Sequence, residues 1–366
     1  MLLFSCRHSD YKQKILGDWK LVSLSVKDSN HIRVIQDSNI WHYEYKSGGY
    51  IFLEDNVCEN KAGYINFKSE KPYLGTKTRY QIDGDSVSIF NPADGSWSGF
   101  RISSINKDTM YIRKNRWPND PYVPIFKYVK QYSKPKNNFE FDEVIISNDG
   151  GWSPGHNILI RKNGDVIYHK YSSDSAAIYT SKISIKQFKE IENAFSKANV
   201  LNLKNDYADN SSDTPNSSIT FVKNGKIIKT ISDHDGSAPF ELIWAYKPLE
   251  YLYQDLKLDL IENNESKPVF ETFNFENANL SGGMEMSENF YLFSLIWNAK
   301  QANQSFVKKF DIISPYAYRA SKIETDGRFY KVFWKKGGST TYDIGFNFID
   351  TDRKFVKFEV WNPQHK

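Results

Sequence analysis

Apolar and polar positions alternate along residues 15 to 130, and tight-turn residues interrupt the alternation at short intervals, the pattern of successive β-hairpins. Leu21, Val22, Leu24 and Val26 form the first strand. Trp41, Tyr43 and Tyr45 lead through the turn at 46–49 into Tyr50, Ile51, Phe52 and Leu53. Tyr80 and Ile82 lead through Asp83-Gly84, a dipeptide suited to the positive φ angles of a hairpin turn, into Val87, Ile89 and Phe90. Phe100, Ile102 and Ile105 are joined to Met110, Tyr111 and Ile112 by Asn106-Lys107-Asp108. So regular a meander is expected to close on itself, because closure removes the unpaired edges of the sheet.

The pattern changes after a polar, proline-containing linker around Ser133, Pro135 and Asn137. Strands at 144–146, 158–160 and 166–168 are expected, the last two paired across Asn163-Gly164. A helix follows at 184–199, where Ser184 and Gln187 have capping-box spacing and Phe188, Ile191, Phe195 and Ala198 share one face. Thr220 to Val222 and Ile227-Ile228 flank Asn224-Gly225, another hairpin. A second helix, 239–256, begins at a proline and is kinked or split by Pro248. Beyond the polar stretch 263–266 the chain again reads as strands, carried by 290–293, 329–334, 344–348 and 355–360. The resulting division is a start and tether over 1–14, an antiparallel barrel over 15–132, an α+β domain over 139–262 and a β-rich domain over 267–366. The fold class is mainly β with an α+β middle.

Gly17-Asp18-Trp19 followed by a strand resembles the Gly-x-Trp start of lipocalins. The order of Gly48-Gly49-Tyr50-Ile51-Phe52, Tyr80 to Asp85, and Phe100-Arg101-Ile102 with Asp108 to Ile112 is similar to the bacterial lipocalin-like domains of envelope lipoproteins. That resemblance implies a barrel whose closed end is covered by Trp19 beneath a basic residue of the last strand, for which Arg113 is the candidate. The middle segment resembles an uncharacterised domain family of bacterial lipoproteins through Gly150-Gly151, 163–168, Asp213-Thr214-Pro215 and 239–242. It departs from that family at Ser153-Pro154, where a Cys-Pro pair is expected, which argues against thiol chemistry.

Only two cysteines, Cys6 and Cys58, are present, which excludes a disulfide framework. Leu3-Phe4-Ser5-Cys6 resembles the lipobox of bacterial lipoproteins, with a small residue before the cysteine to be lipidated and a polar tether after it. This reading requires an apolar leader upstream of Met1 and implies a lipid anchor at the cell envelope. The formal charge of +4 is not concentrated on any element: Lys335-Lys336 and the cluster of Arg113, Lys114 and Arg116 read as solvated faces, so nucleic acid is not an expected partner.

Candidate chemistry is sparse. Gly151-x-Ser153-x-Gly155 fits the nucleophile elbow of hydrolases, but a strand hairpin follows it instead of a helix, and Pro154 removes the N–H needed after the nucleophile. Asp233-His234-Asp235-Gly236, with His156 or His169, has metal-ligand types, yet its place between a strand and a helix suits turn chemistry. Asp206, Asp209 and Asp213 lack EF-hand spacing, and the segment 337–340 lacks the lysine of a phosphate loop. No cofactor is expected. The chain reads as a binding module for a small apolar ligand or a protein, the alternatives being a ligand-free interaction or inhibitor module and a hydrolase assembled from distant residues. A hollow barrel would favour the small ligand, and a filled barrel with an exposed aromatic patch the protein partner.

Overall fold

The computed structural model describes residues 8–27, 32–36, 48–114, 124–132, 138–149, 155–172, 175–207, 215–261, 274–313, 320–352 and 357–360. By its contacts the chain divides into two compact units, Met1–Asn137 with Gly236–Gln254, and Asn138–Asp235 with Asp255–Lys366. In chain order the elements begin with α1 (His8–Lys14), β1 (Gly17–Lys27), β2 (Ile32–Gln36), β3 (Gly49–Phe52), β4 (Val57–Asn60), β5 (Lys77–Asp83), β6 (Ser86–Asn91), β7 (Ser96–Ile105), β8 (Thr109–Arg113) and β9 (Ile125–Lys130). They continue with β10 (Glu143–Asn148), β11 (Gly155–Arg161), β12 (Asp165–Ser172), β13 (Ser175–Lys182), α2 (Ile185–Lys197), β14 (Asp206–Tyr207), β15 (Asn216–Lys223), β16 (Lys226–His234), α3 (Phe240–Glu250) and β17 (Asp259–Leu260). The last group is β18 (Asn274–Glu276), β19 (Leu280–Gly283), α4 (Met286–Asn298), β20 (Lys300–Ala302), β21 (Phe310–Ile313), β22 (Ala320–Thr325), β23 (Phe329–Trp334), β24 (Ser339–Asp343), α5 (Phe348–Asp352) and β25 (Lys357–Val360).

In the first unit the meander closes. β1 pairs with β3 through Gly17 to Lys20 and with β9 along its whole length, so β1 and β3 to β9 form an antiparallel barrel of eight strands. The upper half of β1 also pairs with β2, from Ser23↔Gln36 to Lys27↔Ile32. The expected strand at Trp41, Tyr43 and Tyr45 lies outside the described residues. The helix expected over 239–256 runs as α3 through Pro248 to Glu250 and gives way after Tyr251 to a 3₁₀ turn at Leu252–Asp255. α3 is bound into the first unit: Phe240 packs on the barrel core, Glu241 pairs with Lys20 at 2.5 Å, and the Lys61 ammonium sits 4.1 Å over the Trp244 ring. Beyond it Tyr251 stacks on Tyr73, and the Gln254 amide exchanges two hydrogen bonds with the Tyr73 backbone at 3.0 and 3.1 Å.

The second unit holds two eight-stranded sheets. The middle one has the order β14-β16-β15-β10-β11-β12-β13-β17 and is antiparallel apart from β14–β16. Its central strands are apolar on both sides because both faces are covered. One face carries α2, whose Phe188 meets Phe141 and whose Phe195 meets Phe141 and Phe221 edge to face, with Phe139 edge to face on Phe221. The other packs on α4, where Ile145, Leu159 and Ile167 share a core with Phe290, Tyr291, Phe293, Tyr330 and Val332. The C-terminal sheet is antiparallel, in the order β20-β24-β23-β22-β21-β18-β19-β25.

Two expectations for the C-terminal segment are corrected. Residues 290–293 lie in α4, not in a strand. The helix is buried nearly all round, so its apolar run carries no helical periodicity, and a run of that length does not separate a strand from a buried helix. Likewise 344–348 is not a strand: Ile344 to Asn347 form a bend entering α5. Among the described residues no helix is long and apolar enough to cross a membrane.

Candidate functional site

At the α1 end of the barrel Trp19 is fully buried, and its indole Nε1 donates to the Ile15 carbonyl at 2.6 Å. That bond satisfies the one polar atom of a ring that otherwise packs among apolar groups. Gly17, two residues earlier, has φ of 120°, a backbone conformation that residues with a Cβ rarely adopt, so the first residue of the Gly-x-Trp motif has a backbone reason. The cation over Trp19 is Lys130, opposite it on β9, with Nζ 5.1 Å from the ring centroid. Arg113, the residue expected there, is exposed and pairs with Ile125, itself opposite Ser25 at the far end of β1. The order of residues along a strand does not fix which of them lies across from a tryptophan on another strand; the register does. Lys130 was detectable only as a cation closing the last apolar run.

Among the described residues, aromatic rings fill the middle of the barrel. Tyr50 and Phe52 of β3 meet Tyr80 of β5, Phe100 of β7 and Tyr128 of β9 at ring separations of 5.1 to 6.5 Å. Rings from opposite sides of the barrel therefore touch in its middle. Among small residues of the barrel strands, Ser98 and Ser103 are exposed, Ser88 is half-buried and Ser23 is buried. Cys58 is also enclosed here, and burial pushes its thiol up to about 12, which leaves it a packing group instead of a nucleophile. Outside the barrel, Phe90 and Trp97 face each other on β6 and β7 at 5.4 Å, with the Arg79 guanidinium 4.9 Å from the first ring and 5.9 Å from the second. Trp97 is 43% exposed.

The middle sheet carries a buried polar row under α4. Ser232, Ser218, Ser147, Asn157 and His169 lie opposite one another on five adjacent strands, and all are buried. Asn157 Nδ2 donates to His169 Nδ1 at 3.1 Å, which places the imidazole proton on Nε2. Among the described residues His169 Nε2 and Ser147 Oγ have no hydrogen-bond partner. Ser218 Oγ accepts from the Ser287 N–H at 2.9 Å, and Thr220 bonds the Ser287 hydroxyl at 2.7 Å, so the row also seats the first turn of α4. The His169 ring is stacked on Phe290 at 5.6 Å and on Phe293 at 6.0 Å, and burial drives its pKa down to about 3. It is a neutral packing imidazole near neutral pH. The signal for this row was available in principle: Asn157 and His169 stand at inward positions of otherwise apolar strands.

The remaining motifs are dispersed. His156 pairs with Lys170 and His169 with Asn157, so the two histidines face opposite sides of the sheet. Asp233 lies opposite Ser217, on the face away from Ser232 and His169. Among the described residues no three histidine, cysteine, aspartate or glutamate side chains gather to hold a metal. Asp235 and Gly236 have φ of 53° and 72°, a tight turn leaving β16. Asp206 is exposed, 3.8 Å from His234 Nε2, while Asp209 and Asp213 lie outside the described residues. So do Ser153 and Cys6. Gly155 opens β11, so the motif around Ser153 leads into a strand and lacks the helix a nucleophile elbow requires. Gly337 and Gly338 form the turn between β23 and β24.

Residues 150–253 match the model of a domain of unknown function (DUF6438). No curated protein matches the chain. The match says what the middle segment is similar to and attaches no activity to it.

Proposed function

We propose that the chain is a non-enzymatic binding module of the bacterial cell envelope, held there by lipid on Cys6, in which a lipocalin-like barrel acts as a filled support and engages a protein through its outer surface. The observation that carries this reading is the pairing of a barrel filled by Tyr50, Phe52, Tyr80, Phe100 and Tyr128 with an outward row of Arg79, Phe90 and Trp97. Tryptophan and arginine are the residue types that dominate the energetics of protein interfaces. A filled interior offers no room for a second apolar molecule without displacing rings that already pack.

The test uses the full chain with oleate and with 1-anilinonaphthalene-8-sulfonate. Neither should bind saturably with tryptophan quenching at ~100 μM, a concentration well above the dissociation constants of formed apolar pockets. Saturable binding of either, displaced by the other, would overturn the filled-support reading.

The anchor rests on Ser5-Cys6 and the polar residues that follow. With the upstream coding region restored in a bacterial host, radiolabelled palmitate should be incorporated into the chain and lost completely in Cys6→Ser. Label persisting in Cys6→Ser, or none in the unaltered chain, removes the anchor from the proposal.

A further inference from the structure

After β20 the chain leaves the edge of the C-terminal sheet and travels without regular structure from Asn303 to Lys309 before entering β21, four strands away. Between this segment and the face of β22, β23 and β24 lies a groove of about 500 Å³. Its floor is a cross-strand row, Glu324↔Lys331↔Thr341, whose side chains alternate with the inward Ile323, Tyr330 and Val332. The volume falls within the range of small-ligand sites, but the lining departs from the usual apolar kind. The amides of Gln301, Asn303 and Gln304 and the hydroxyls of Ser339 and Thr341 supply both donors and acceptors. Phe306 is the one ring of the lining; stacking on Phe329 at 5.9 Å holds it in place.

The charges of the groove are unequally committed. Glu324 is engaged by Lys322 at 2.8 Å, and Lys308 is held by Asp311 at 3.0 Å. Lys331, directly across from Glu324, has no carboxylate within ion-pair distance among the described residues, and its ammonium rests 5.0 Å over the Phe333 ring. Three ammonium groups thus stand against two carboxylates, and the surplus cation lines the groove.

We propose that this groove is a binding site for an acidic oligosaccharide: repeated hydroxyls answer the amide and hydroxyl lining, a sugar ring packs on Phe306, and a uronate carboxylate pairs with Lys331. A saccharide suits the floor of the groove, which is made of side chains on the sheet face, whereas an extended peptide would pair along a sheet edge, here the outer edge of β20.

Titration calorimetry of the full chain with trigalacturonic acid should give saturable binding at or below the millimolar range usual for short, weakly held ligands, and maltotriose should bind about tenfold more weakly. Lys331→Met should reduce trigalacturonate binding about tenfold, to the maltotriose level, while Lys331→Arg keeps it. An unchanged circular dichroism spectrum and melting temperature in both variants would show that the sheet is intact. The proposal is overturned if neither sugar saturates at ~10 mM, if Lys331→Met binds trigalacturonate as the unaltered chain does, or if hexaglutamate binds more tightly than trigalacturonate.

Discussion

Lowering the pH from 7 to 4 should destabilise the second unit by about 3 kcal/mol through His169 alone, from a folded pKa of about 3 against an ordinary 6.5. The fold needs this imidazole neutral, since it is fully buried against Phe290 and Phe293, whereas the unfolded chain is free to take up the proton. Between the two pKa values the unfolded state therefore binds more protons. Its contribution is complete above pH 6.5 and is lost as the pH falls through the window down to about 3. Other groups titrate in the same range: burial raises Glu143, while hydrogen bonds from Arg328 lower Asp343, and these act in opposite directions. A matched variant isolates the histidine. His169→Phe keeps a flat ring in the stack and removes the titration, at the cost of leaving the Asn157 amide without its acceptor, roughly 1–3 kcal/mol at any pH. Urea unfolding of both chains at pH 7 and pH 4 should show the unaltered protein losing about 3 kcal/mol more than the variant over that interval. Equal losses would mean that His169 is hydrated or relocates on protonation.

Much of the fold was legible where its information is local. Asp83-Gly84, Asn163-Gly164 and Asn224-Gly225 announce hairpins through backbone preferences of two residues, and Ser184 with Gln187 announces the start of α2 through a reciprocal bond that is present at 2.8 and 3.2 Å. The features that escaped depend on partners far along the chain. Which cation covers Trp19 follows from the β1–β9 register, more than a hundred residues apart, so Arg113 and Lys130 were equivalent in sequence. Whether His169 meets Asp233 depends on the parity of two strands separated by three others, and the parity places them on opposite faces. α4 escaped for a different reason: amphipathicity marks a helix only when one side meets water, and this helix lies between the sheet it seats on and the core of the other. The groove under Asn303 to Lys309 had no sequence signature, because its polar lining is indistinguishable from a solvated loop until the crossing places it over the sheet.

Trp19→Ala should cost the barrel about 3 to 5 kcal/mol, the range for deleting a large buried ring. Two further losses push toward the upper end. The Ile15 carbonyl loses the indole donor at 2.6 Å in a site without solvent, and the Lys130 ammonium loses the ring 5.1 Å beneath it. Collapse around the cavity is resisted by neighbours that are themselves fixed: Ile15 is wholly buried behind α1, and β1 is clamped on both edges by β3 and β9. A global unfolding curve would blend the units, so the measurement is amide hydrogen exchange read strand by strand. Amides of β1, β3 and β9 should exchange about 100-fold faster or more in Trp19→Ala, while those of β10 and β15 in the other unit keep their rates. Trp19→Phe should fall between, because it restores most of the ring but not the N–H. Acceleration below about fivefold, equivalent to roughly 1 kcal/mol, would show that the barrel end is closed by something other than this tryptophan.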